Sequence, residues 1–101
     1  MNEYYQRSVD LHKKHQGKIA MCAKVDLERE AAMSLVYTPG VGRPCEEIRD
    51  DPKKTYELTC KGNTVAVVTD GSAVLGLGNI GPEAALPVME GKALLFKKYA
   101  N

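Results

Sequence analysis

The sequence predicts a small α/β domain in which a short, mostly parallel sheet is flanked by helices. Two strand-like runs predict the sheet. Thr64-Val65-Ala66-Val67-Val68-Thr69 is rich in β-branched residues and is bounded by Gly62-Asn63 and Asp70-Gly71, the pattern of a buried strand. From Lys18 to Val25 the apolar residues Ile19, Met21, Ala23 and Val25 alternate with Lys18, Ala20, Cys22 and Lys24, which reads as a short edge strand. The third observation is that helical patterns alternate with these runs, as in folds built from strand and helix in turn. At 101 residues the chain is long enough for one domain, since domains run to roughly 100 residues or more.

Taken in order, residues 3–16 form a weakly amphipathic helix with Tyr5 and Val9 four apart, which Gly17 can end in a left-handed conformation. Asp26 can cap a helix through Leu35, in which Leu27, Ala31 and Leu35 recur every fourth residue. Thr38-Pro39-Gly40 must end it, because Pro39 disfavours helical backbone at Thr38 and Gly40 permits a sharp turn. Pro44 suits the first turn of a short helix through Arg49, and Asp51-Pro52 reads as the cap and first position of another through about Cys60. After the central strand come the Asp70-Gly71-Ser72 turn, the glycine-rich stretch Gly76–Gly81, and a last helix opened by Pro82 or Pro87 and running to about Tyr99.

Composition narrows the function. The chain is 44% hydrophobic and 27% charged with a formal net charge of +1, so there is no electrostatic reason to expect a nucleic-acid or membrane partner. Cys22, Cys45 and Cys60 form no CxxC pair, which argues against a disulfide framework or a zinc site and fits a reducing cytoplasm. No apolar run approaches the roughly 18 residues of a membrane span, and the start lacks the order of a signal peptide. His12 and His15 lie on a polar helix with no third ligand nearby and read as surface residues.

The last helix carries the first chemical candidate. Ala85, Met89, Lys92, Phe96 and Tyr99 fall on one stripe, so Lys92 sits where a core-facing residue would. Either its stem packs while the ammonium reaches water, or it is a desolvated lysine able to act as a base. Tyr37 precedes the turn Thr38-Pro39-Gly40-Val41-Gly42, where it is either a packing residue or a tyrosine held in place to donate a proton. Gly76-Leu77-Gly78-Asn79-Ile80-Gly81 matches GxGxxG. A dinucleotide turn should follow its strand directly and be answered by an acidic residue about 20 positions on, and neither condition holds. Asp70 most simply makes its own turn.

Four segments together resemble the amino-terminal domain of malic enzymes, with the compact prokaryotic type the nearest in kind. They are Tyr37-Thr38-Pro39-Gly40-Val41, Val67-Val68-Thr69-Asp70-Gly71, Leu75-Gly76-Leu77-Gly78-Asn79-Ile80-Gly81 and Pro87-Val88-Met89-Glu90-Gly91-Lys92. The likeness runs from about Gly17 to the end in the family's order and spacing. It implies that residues 1–101 are the substrate and dimerisation domain, with the carboxy-terminal NAD(P)-binding Rossmann domain outside this chain. It implies oxidative decarboxylation of malate to pyruvate and carbon dioxide with NAD or NADP and magnesium or manganese. Lys92 then matches the general base for the malate hydroxyl, and Tyr37 the general acid that protonates C3 of enolpyruvate. Leu75, Gly76 and Asn79 match residues that shape the substrate pocket. Larger members carry an arginine two positions after the Asp-Gly turn, where this chain has Ala73, as the compact type does.

The resemblance further implies a homodimer, in which Tyr37 and Lys92 of one site can come from different subunits. No metal ligand and no cofactor-binding residue is assigned to this chain, so the isolated segment should bind neither stably and should be inactive. Two other readings remain open: a stand-alone dimerisation or binding module, and a small nucleotide-binding fold using Gly76–Gly81.

Overall fold

Two consecutive left-handed residues end the first helix close to where the sequence predicts. In the computed structural model, which describes residues 2–101, α1 spans Asn2–His15, and Gln16 and Gly17 follow with φ of 53° and 90°. The Gly17 N–H donates to the His12 carbonyl at 3.1 Å, the six-to-one bond that caps a helix carboxy terminus. The remaining helices are α2 (Ala32–Val36), α3 (Gly42–Asp50), α4 (Thr55–Leu58) and α5 (Gly81–Ala100), with 3-10 turns at Pro52–Lys54 and Cys60–Asn63. None is long and apolar enough to cross a membrane. The chain forms two compact units, one from Met1–Met21 with Ala66–Asn101 and the other from Cys22–Val65.

In the Cys22–Val65 unit, Asp26 makes a turn. Its carboxylate accepts the Glu28 N–H at 2.9 Å, and that local bond competes with helix propagation. Ala31 takes left-handed backbone at φ 64°, so α2 begins only at Ala32 and is five residues long. It ends at Tyr37, and the Gly40 N–H folds back onto the Ser34 carbonyl at 2.8 Å. A Cβ on Gly40 would overlap that carbonyl, so the turn requires glycine. Asp51 accepts the Lys53 N–H at 3.2 Å and caps the 3-10 turn that Pro52 opens. Glu47 on α3 pairs with Arg43 at 3.5 Å and with Lys54 at 3.4 Å, contacts exposed enough to contribute no more than about 1 kcal/mol each.

The other unit joins α1 to α5 and to the loop before α5. Gly71 closes that loop, its carbonyl accepting the N–H groups of Ile80 at 3.0 Å and Gly81 at 3.2 Å. Val74 donates to Gly78 at 3.2 Å and Leu77 to Val74 at 2.8 Å within it. Gly71 is buried with φ 73°, and a Cβ there would overlap the Gly81 carbonyl. Gly71→Ala should therefore destabilise the fold by about 2–4 kcal/mol, combining backbone strain with overpacking. A shift of less than about 1 kcal/mol in denaturant unfolding, within the range of ordinary surface changes, would contradict that account. Pro82 opens α5, Glu83 lies in its first turn and Lys97 and Lys98 in its last, each favourable to the helix dipole.

The predicted sheet is absent. Among the described residues no strand forms, so the α/β expectation with a short, mostly parallel sheet is corrected to an all-helical architecture with extended connections. Residues 18–25 and 64–69 both run without a ladder, and apart from the half-buried Val67 their apolar side chains are exposed, Met21 by 98% and Val68 by 86%. The cause lies in pairing. β-branched composition suits a pleated, half-buried surface, but a strand exists only when a neighbour satisfies its N–H and C=O groups. Burial follows the same course, for the buried apolar residues are Ala32 in one unit and Val74 and Ala85 in the other.

Candidate active site

Lys92 lies in the middle of α5 and borders a cleft of about 250 Å3. The other walls are the extended residues 67–69, the loop residues Ala73, Val74 and Leu75, and Val88 and Met89 from the preceding turn of α5. Most of the lining residues are aliphatic, but polar atoms make up more than half of the cleft's surface, and Lys92 supplies its one ionisable side chain. Lys92 itself is exposed. Along the predicted stripe Ala85 is fully buried and Met89 half-buried, whereas Phe96 and Tyr99 are exposed. The desolvation that the stripe suggested is thus supplied by this chain's own residues only over the first turns of α5.

The loop brings Leu75 to the cleft beside Lys92, but Gly76 and Asn79 do not line it. Leu75 has φ 49° and Gly76 φ 71°, two successive left-handed residues that turn the chain at the mouth of the cleft. Asn79 is exposed. Asp70 is held by its own turn, the Ser72 N–H donating to its carboxylate at 2.9 Å. Hydrogen bonding by the Ser72 side chain, then by its backbone, holds the Asp70 carboxyl below the ordinary aspartate value.

Tyr37 belongs to the other unit. Its N–H donates to the Met33 carbonyl at 2.9 Å and its carbonyl accepts the Val41 N–H at 2.7 Å, so the backbone carrying the ring is fixed on both sides. Tyr37 is 62% exposed. Each of the two chemical candidates therefore sits on a defined local frame.

Among the described residues no three His, Cys, Asp or Glu side chains converge in a way that could hold a metal ion. The donor set of this segment does not fit a catalytic metal by itself. The glycine-rich stretch offers a poor dinucleotide turn, because no strand feeds it and the Ile80 and Gly81 N–H groups are occupied by the Gly71 carbonyl. What the sequence did not bring forward is a contact behind Lys92. The Lys18 N–H donates to Glu90 Oε1 at 2.7 Å across 72 residues of chain, and the only prior signal was that Glu90 lies two positions from Lys92.

In sequence and in fold the chain is similar to known proteins. The family profile described as "Malic enzyme, N-terminal domain" matches residues 14–101. The bifunctional malic/malolactic enzyme of Bacillus subtilis is 59% identical over 96 residues, covering 95% of this chain and 23% of that protein. The NADP-dependent malic enzyme of Escherichia coli is 50% identical over 97 residues, covering 95% of this chain and 13% of that protein. Among solved structures, malic enzyme from Pyrococcus horikoshii superposes with a TM-score of 0.91 at 56% identity, covering 95% of this chain and 23% of that one. The NAD-dependent malic enzyme of Thermotoga maritima gives 0.86 at 54% identity, covering 91% and 26%. The class is thus that of an enzyme's amino-terminal domain. The chain belongs to the malic enzyme family, and it spans about a quarter or less of the length of these relatives.

Proposed function

We propose that this segment is the substrate-side part of an enzyme that oxidises malate with NAD or NADP, assisted by magnesium or manganese, and releases pyruvate and carbon dioxide. The observation that carries this is Lys92 at the edge of a cleft of mixed polar and apolar surface with Leu75, in a chain matched to the malic enzyme amino-terminal domain. Lys92 takes the proton of the C2 hydroxyl as hydride leaves C2 for the nicotinamide ring. When the C3–C4 bond breaks, its electron pair becomes the C2=C3 bond of enolpyruvate and Lys92 returns the proton to the C2 oxygen. Tyr37 then gives its phenolic proton to C3 while Lys92 takes the enol proton back. Leu75 lines the cleft that receives the substrate, and Gly76 and Asn79 act from the loop that carries it, off the cleft wall. On this reading the metal and the cofactor are held by residues outside this segment.

The experiment places this segment, in register, into a complete related malic enzyme. The chimera should reduce NAD or NADP with malate and release carbon dioxide, while the isolated 101-residue chain supplied with malate, cofactor and manganese should show no turnover. Steady cofactor reduction by the isolated chain, or an inactive but folded chimera, would overturn the assignment.

A homodimer is part of the same proposal. Along the last turns of α5 a recess of about 470 Å3 is lined by Leu95, Phe96, Tyr99 and Ala100 together with Lys92. Apolar surface of that kind favours association when it is covered. The segment should be dimeric at micromolar concentration, and a sharp monomer mass under native conditions would count against it.

A further inference from the structure

The junction between the end of α1 and the middle of α5 grips the helix that carries Lys92 from behind. The Lys18 N–H donates to Glu90 Oε1 at 2.7 Å, and the Lys18 ammonium donates to the Pro87 carbonyl at 2.6 Å. These two holds on α5 are three residues apart, so they lie on one face. Lys92 is two residues beyond Glu90, which on an α-helix is a rotation of about 200°. It therefore lies away from the grip, on the side of α5 that borders the cleft with Leu75 and Met89. The roll of α5 that seats Glu90 on Lys18 is the same roll that aims Lys92.

The junction is tied to α1 as well. The Lys18 ammonium lies 2.7 Å from His12 Nε2, and His12 Nδ1 lies 2.7 Å from the Ser8 carbonyl. The carbonyl can only accept, so Nδ1 carries the proton and Nε2 accepts from Lys18. Gly17 makes room for the carboxylate, since a Cβ there would stand 2.9 Å from Glu90 Oε1. Apolar contact alone would not fix the roll of a helix, because it is non-directional, whereas hydrogen bonds depend steeply on angle. Support is needed at this turn, where Pro87 removes one bond of the helical ladder.

We propose that Lys18 and Glu90 are positioning residues that set the direction of the Lys92 ammonium for malate oxidation. This rests on the reading of Lys92 as the base. Neither residue lines the cleft that Lys92 borders. They act by holding α5 in one roll, and through Lys92 they act on the oxidation step.

The test uses the chimeric enzyme described above, with malate carrying either hydrogen or deuterium at C2. Glu90→Ala should lower kcat by about 10-fold to 100-fold, the scale of loss for a catalytic group displaced by about an ångström. KM for malate should hardly move, and the deuterium isotope effect on kcat should rise as hydride transfer becomes slower than product release. Glu90→Gln keeps an oxygen for the Lys18 N–H and should retain most of the activity. Lys18→Met keeps that N–H but loses the hold on Pro87, and should give an intermediate loss with the same rise in isotope effect. If Glu90→Ala fails to fold, Lys18→Met decides. An unchanged kcat and isotope effect in the folded variants would overturn the proposal, as would Glu90→Gln falling as far as Glu90→Ala. Lys92→Ala separates the two ideas. Oxidation that survives Lys92→Ala defeats the assignment of the base, whereas oxidation lost with Lys92→Ala and untouched by the Glu90 and Lys18 variants defeats the clamp alone.

Discussion

Lys92→Ala in a complete enzyme carrying this segment should slow malate oxidation by about 100-fold to 10,000-fold, the range expected when one general base is removed. The side chain is the one ionisable group among the residues that line the cleft, so no neighbour on that wall can take the proton in its place. The loss should fall on the redox step. KM for malate should change much less than kcat, because an alanine leaves the Leu75 and Met89 walls in place. Small primary amines, added in solution, should restore part of the rate if the missing function is proton acceptance. Oxidation at more than about a tenth of the unmutated rate would be too small a loss for a general base and would remove Lys92 from that role.

The punctuation of this fold was legible where local chemistry decides it. The left-handed end of α1, the arrest of α2 at Thr38-Pro39-Gly40, the Asp51-Pro52 cap and the opening of α5 at Pro82 are all short-range effects of glycine, proline or aspartate. Two features were not legible. Ala31 breaks the predicted helix from Asp26 by taking φ 64°, and nothing in an alanine announces a left-handed residue. The run 64–69 has strand composition without strand pairing, since composition describes a surface and pairing needs a second segment. Of the site, Lys92 and Leu75 share the cleft while Gly76 and Asn79 lie off it. The Lys18–Glu90 contact spans 72 positions, a separation that helical periodicity cannot register.

Tyr37→Phe should chiefly impair the last chemical step, protonation of C3, and should do so by about 100-fold to 10,000-fold, the range for one general acid. The substitution keeps the ring, and the backbone bonds to Met33 and Val41 that hold it do not involve the phenol. Folding should therefore be unaffected. Loss of the proton donor leaves malate oxidation itself to Lys92, so the two variants should differ in kind. The discriminating measurement is exchange of the pyruvate methyl protons with deuterated water, in the presence of metal and reduced cofactor. That exchange runs the C3 proton transfer backward and forward without forming or breaking the C3–C4 bond. Lys92→Ala should slow the exchange as well, because the C2 oxygen must gain a proton when the enol forms. Only Tyr37→Phe should slow it while a direct assay of oxaloacetate reduction stays near the unmutated rate. If Tyr37→Phe exchanges the methyl protons as fast as the unmutated enzyme, the C3 acid is another residue.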